Sequence, residues 1–181
     1  MARITLFAVL VGLVAAPAVA EDLSYADLAK RLTDLQRLST LPAEGDTCVQ
    51  WSSYDRRSRY EDGKYLDWSA NGDGNGAIRR EGDHIVMAEM EGPGCIWRIW
   101  SALAEQGHVK VYLDGKEAPA IDLPFDGYFN GKHKPFHRKS LVYTAGRGRN
   151  NYVPIPYNTS CKIIAEKGWG RYFQFVYETF P

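Results

Sequence analysis

His108-Val109-Lys110-Val111-Tyr112-Leu113-Asp114-Gly115 decides how the chain is to be read. Val109, Val111 and Leu113 alternate with His108, Lys110 and Tyr112, the period of two expected of a strand buried on one side. Asp114-Gly115 then supplies the two residues that most readily take positive φ, the requirement of a tight hairpin turn. Residues 117–123 are the expected returning strand. The same strand signal recurs outward from this hairpin, at residues 85–90, 95–101, 141–144, 151–155, 160–165 and 171–179. Short strands separated by Gly, Pro and Asn turns predict an all-β sandwich or barrel.

Upstream the pattern is different. Ser24 and Asp27 have the spacing of a capping box, with Leu23 placed to staple onto Leu28. Leu28, Leu32, Leu35 and Leu38 recur at helical spacing before Pro42 ends the run, which predicts one short amphipathic helix. Residues 1–20 read as a signal peptide: Arg3, an apolar stretch from Ile4 to Val14, then Ala16-Pro17-Ala18-Val19-Ala20 as a small-residue cleavage site. The apolar stretch is shorter than the roughly 20 residues a membrane span needs. The chain is therefore expected in the periplasm or secreted, and off the membrane once the peptide is removed.

Composition narrows the partners. The sequence has 181 residues, with 22 Lys and Arg against 22 Asp and Glu, a net charge of zero. A nucleic-acid or anionic-membrane partner needs a basic surplus that this chain lacks. Aromatic residues make up 13%, which fits either a β core or a surface that stacks on neutral rings. Cys48, Cys95 and Cys161 match no zinc spacing; in an oxidising compartment they allow one disulfide and a free thiol, or three buried thiols.

Several short motifs carry chemistry. In Tyr54-Asp55-Arg56-Arg57 the guanidinium forks suit sugar hydroxyls or carboxylates, and the acid can fix their geometry; the plainer reading is an Asp–Arg pair that holds its own loop. Asn71-Gly72-Asp73-Gly74-Asn75-Gly76 begins like a calcium loop, but its twelfth position is Gly82 where a bidentate Glu belongs, so it reads as a turn. Glu89 and Glu91 project from one side of a strand about 6–7 Å apart, near the separation of glycosidase carboxylates, although such pairs come from facing strands. In Cys95-Ile96-Trp97-Arg98-Ile99-Trp100, strict alternation puts Cys95, Trp97 and Ile99 on one face and Ile96, Arg98 and Trp100 on the other. A face with Arg98 beside Trp100 suits a sugar ring; the alternative is a core Trp100 and an Arg98 paired with a buried acid. His133 and His137 are four apart, but Pro135 blocks the helix that would make them a metal pair. No metal and no cofactor are expected.

The ordered set Ser52-Ser53-Tyr54-Asp55-Arg56, Glu91-Gly92-Pro93-Gly94, Trp97-Arg98-Ile99-Trp100, Val111-Tyr112-Leu113-Asp114-Gly115, Asp122-Leu123-Pro124-Phe125, residues 151–157 and Tyr172-Phe173-Gln174-Phe175 resembles the family first called domain of unknown function 2961, now glycoside hydrolase family 172. The resemblance implies a jelly-roll β-sandwich at residues 44–181, the first of two in that family, after a helix and linker at residues 21–43. It implies activity on furanosides, arabinofuranosyl or fructosyl, by two glutamates in a retaining mechanism, and a homotrimer at full length. The family's glutamates are expected in the second half, beyond this sequence, so no catalytic residue is assigned and the chain alone is expected to be inactive. Tyr54, Asp55, Arg56, Arg98 and Trp100 are the residues expected to bind the carbohydrate. The alternative is a non-catalytic carbohydrate-binding or structural β-sandwich module.

Overall fold

A computed structural model describes residues 24–181; the signal peptide and the Leu23 staple lie outside the described residues. The expected all-β sandwich is present. Its strands are β1 (Thr47–Ser52), β2 (Arg59–Glu61), β3 (Lys64–Leu66), β4 (Arg79–Glu81), β5 (His84–Glu91), β6 (Gly94–Ala104), β7 (His108–Leu113), β8 (Ile121–Pro124), β9 (Val142–Ala145), β10 (Gly148–Asn151), β11 (Ile155–Tyr157), β12 (Ser160–Ala165) and β13 (Gly170–Thr179). The first sheet runs β1-β13-β6-β10-β9, with β11 also paired to β6, and the second runs β4-β5-β12-β7-β8. The chain passes from the second sheet to the first between β5 and β6, back at β7, and across again around β12, the jelly-roll habit of feeding two sheets in turn. β2 and β3 form a separate two-stranded ribbon.

The β7 hairpin turns as read: Asp114 and Gly115 have φ of 57° and 68°. Its returning strand is shorter than expected, Ile121–Pro124, paired from Val111↔Ile121 to His108↔Pro124. The Asp114 carboxylate also receives the backbone N–H groups of Asn158 (2.7 Å) and Thr159 (2.8 Å), tying this turn to the one before β12. The expected strand at 151–155 is two strands, β10 and β11, because Pro154 has no N–H to continue the ladder.

Between the sheets lies an aromatic core. Phe125, Tyr128, Phe136, Phe173 and Phe175 are fully buried, and the Tyr128 hydroxyl is satisfied by the Val109 carbonyl at 2.8 Å. Phe125 meets Tyr128, Phe129 and Trp169 edge-on, the geometry that aromatic quadrupoles favour. Most of the chain's aromatic residues on β13 and around Phe125 are thus packing, not binding.

The helix departs from its expected length. Its capping box forms, Ser24 Oγ accepting from Asp27 N–H and Asp27 returning to the Ser24 N–H, both at 3.2 Å. Yet α1 covers only Tyr25–Arg31, followed by a 3₁₀ turn at Gln36–Ser39. Asp34 Oδ1 takes the N–H groups of Gln36 (3.0 Å) and Arg37 (3.3 Å), a local bond that competes with helix continuation. Consequently only Leu28 is buried, whereas Leu35 and Leu38 remain exposed. Among the described residues no helix is long and apolar enough to cross a membrane. All three cysteines are unpaired; burial pushes the thiols of Cys95 and Cys161 up to about 12.

Candidate functional site

The outer face of the first sheet is built around a defect in β6. Pairing with β13 runs Phe175↔Ile99 and Val176↔Arg98, then jumps to Tyr177↔Ile96. Trp97 is the extra residue of this bulge, so the alternation read from the sequence fails there. Ile96 and Ile99 both point into the core, while Trp97 joins Arg98 on the outer side, its indole N–H donating to Glu178 Oε2 at 2.7 Å. Cys95, the cross-strand partner of Glu178, is also outside the inter-sheet core and is fully buried.

Cross-strand pairing sets a row on this face: Ser52↔Gln174, Gln174↔Trp100, Trp100↔Asn150 and Asn150↔Tyr143. Arg98 reaches into the row. Its Nη2 and Nε donate to Asn150 Oδ1 at 3.0 and 3.3 Å, and its Nη1 to Gln174 Oε1 at 3.2 Å. Both acceptors are neutral amide oxygens, which hold the guanidinium in place while leaving its charge uncompensated. Its carbon sits 5.9 Å from the Tyr152 ring, and Tyr152 stacks on Tyr143 at 6.0 Å with a 20° interplanar angle. Trp100 is half-buried. Gly148 makes room for it, since a Cβ there would lie 2.6 Å from the indole Nε1.

Beside this row is an open cavity of about 350 Å³ between the sheet and the N-terminal segment, lined by Arg31, Arg37, Trp97, Arg98, Tyr152 and Glu178 among others. That volume is in the range of small-molecule sites. Among the described residues Glu178 is its one acid, and Arg37 Nη2 bonds Glu178 Oε1 at 2.8 Å.

The five sequence-chosen residues fall into three groups. Arg98 and Trp100 stand together as described. Tyr54 and Arg56 make their own stack at the sheet edge, the guanidinium 3.7 Å from the ring and Arg56 Nη2 bonded to the Ser52 carbonyl at 2.8 Å; desolvation lowers the Arg56 pKa. Asp55 faces its own loop. Its carboxylate accepts from Arg57 Nη2 (2.6 Å), Arg57 N–H (3.1 Å) and Gly72 N–H (2.7 Å), and Arg57 chiefly holds it far below the usual carboxylate range. The Asp73 carboxylate completes the clamp by taking the Asp55 N–H at 2.6 Å. The sequence that began like a calcium loop thus binds its own backbone, with Gly76 pressed so close to Tyr54 that a Cβ would overlap the carbonyl. Among the described residues no cluster of His, Cys, Asp and Glu could hold a metal ion.

Gln174, Glu178, Trp97, Arg31 and Arg37 were not among the residues expected to bind. A signal existed for two of them: in β13, Gln174, Val176 and Glu178 alternate with the core residues Phe173 and Phe175. Trp97 was hidden by the bulge, and the arginines by the break in the helix. Glu89, weighed as half of a carboxylate pair, is on the second sheet and clasped by Arg79 through two bonds of 2.6 Å.

A family description, the GH172 first beta-sandwich domain, matches residues 44–181. The chain belongs to glycoside hydrolase family 172. No curated protein matches it. The family match takes in both sheets and stops short of α1 and the 3₁₀ turn, so in this GH172 chain the near wall of the cavity comes from residues outside the matched domain.

Proposed function

We propose that this GH172 domain holds a furanosyl saccharide, arabinofuranosyl or fructosyl, on the outer face of its first sheet, within an exported furanoside-cleaving protein. The observation that carries the reading is Arg98, a half-buried guanidinium held by the amide oxygens of Asn150 and Gln174 instead of an acid, beside Trp100 and Tyr152. Such a group has donors oriented toward hydroxyls and a charge free to strengthen those bonds; the flanking rings offer apolar faces for the C–H side of a sugar. Tyr54 and Arg56 extend this face at its edge. Asp55 supports it indirectly, by fixing the loop that carries them.

The chemistry of this face is binding. Its nearby acid, Glu178, already receives Arg37 and the Trp97 indole and among the described residues has no facing carboxylate to share general acid–base work. Hydrolysis within the family assignment therefore requires groups other than these. Titration of the chain with arabinofuranosyl and fructosyl oligosaccharides tests the reading. Arg98→Ala and Trp100→Ala should each weaken binding about tenfold or more, the loss of one charge-assisted bond or one stacked ring. Affinity unchanged in both folded variants would refute it and favour a structural β-sandwich.

A further inference from the structure

The cavity beside Arg98 has a charge imbalance that the saccharide reading alone leaves unexplained. Among the described residues three guanidinium groups line it, from Arg31, Arg37 and Arg98, against the single carboxylate of Glu178. That carboxylate is saturated: Oε1 is shared by Arg37 at 2.8 Å and Arg31 at 3.8 Å, and Oε2 takes the Trp97 indole. Glu178 is 12% exposed and Arg31 22%, so water screens this group less than it would a surface pair. Arg31 rests on the Phe180 ring at 5.1 Å, yet its Nη1 is buried and has no hydrogen-bond acceptor. A buried donor without an acceptor is uncommon in a folded protein. The chain's net charge is zero, so the cationic excess is local to this cavity.

We propose that the saccharide held on this face carries a carboxylate, as a uronic acid does, and that Arg31 and Arg37 receive it. The inference rests on the saccharide reading and names the class of sugar. A carboxylate matches a guanidinium fork in shape. It also offsets the cation excess in a partly desolvated space, where a neutral hydroxyl does neither. The two arginines precede the residues matched by the family, so this preference is expected of chains that share the N-terminal segment and not of the sandwich as such.

The test uses one arabinan oligosaccharide bearing a glucuronic acid and the same oligosaccharide after carboxyl reduction, each titrated into the chain by calorimetry. The acid form should bind about tenfold tighter or more at low salt, with the ratio shrinking as salt rises. Arg31→Gln should bring the ratio close to one, and Arg31→Lys should retain part of it. Glu178→Gln should raise the ratio, because the internal anion no longer competes for the guanidinium groups; an unfolded variant could not give that gain. Equal binding of both sugars, a ratio that survives Arg31→Gln, or a ratio that falls in Glu178→Gln each overturns the proposal while leaving the saccharide reading in place. Binding of neither sugar overturns both.

Discussion

The two sheets present outer faces of opposite character. On the second sheet three long cations have an acid close by: Arg79 bonds Glu81 and Glu89, Lys162 bonds Glu81 at 2.8 Å, and Lys110 bonds Glu166 at 2.6 Å and approaches Asp122. On the first sheet Arg98 rests on amide oxygens, Arg31 keeps a donor unfilled, and Trp100, Tyr152 and Tyr143 interrupt the polar groups. The same sandwich therefore carries one face with a ladder of paired charges and one on which Arg98 is held in position by neutral groups. The first arrangement contributes to stability; the second leaves interaction capacity for a ligand. What separates them is pairing, not the number of charged residues.

The largest effect is expected from the core that both faces share. Phe173→Ala removes a fully buried ring that touches Trp169 and Phe175 and should cost about 3–5 kcal/mol in a urea titration, abolishing both faces together. A loss below about 1 kcal/mol would mean that the sandwich core is elsewhere. Gly148→Ala separates the faces: its Cβ would displace the Trp100 indole, so saccharide affinity should fall several-fold while stability changes by about 1–3 kcal/mol at most. Unchanged affinity there would detach Trp100 from the site.

A third prediction isolates the second sheet by pH. Hydrogen bonding to Lys162, and then to Arg79, holds Glu81 at about 2 against an ordinary 4.5. A carboxylate depressed on folding contributes stability that is complete above its unfolded value and is lost as pH falls toward its folded one. Unfolding followed from pH 6 to pH 2 should thus show a stability decline between about 4.5 and 2 that is shallower in Glu81→Gln. An identical slope in the variant would mean that the ladder is not formed in solution. Lys162→Ala should be milder still, within about 1 kcal/mol because the pair is solvent-accessible, and should leave saccharide affinity as it was. A binding defect from Lys162→Ala would erase the contrast between the faces.

Much of this contrast could be read from the sequence, and its limits have identifiable causes. Alternation and Asp-Gly chemistry are local, so β7, β12 and β13 and the hairpin turn were legible at nearly their true bounds. Arg98 and Trp100 were legible because they lie two apart within one strand. A bulge is invisible to a parity count, which is why Trp97 was assigned to the wrong side. The clamp on Asp55 depends on Gly72, far along the chain, and the choice of Arg57 over Arg56 as its partner is a matter of loop geometry. Arg37 joined the site only because Asp34 bonded the backbone of the turn that follows the helix.

The central claim is that ligand binds the outer face of the first sheet. Indole N–H signals of the chain, followed by ¹⁵N–¹H correlation spectra during titration with an arabinofuranosyl oligosaccharide, test it directly. The Trp97 and Trp100 signals should shift and saturate together, while buried Trp169 stays fixed. Saturable shifts confined to the exposed Trp68, or no indole shift at ligand concentrations that saturate calorimetric binding, would contradict the account.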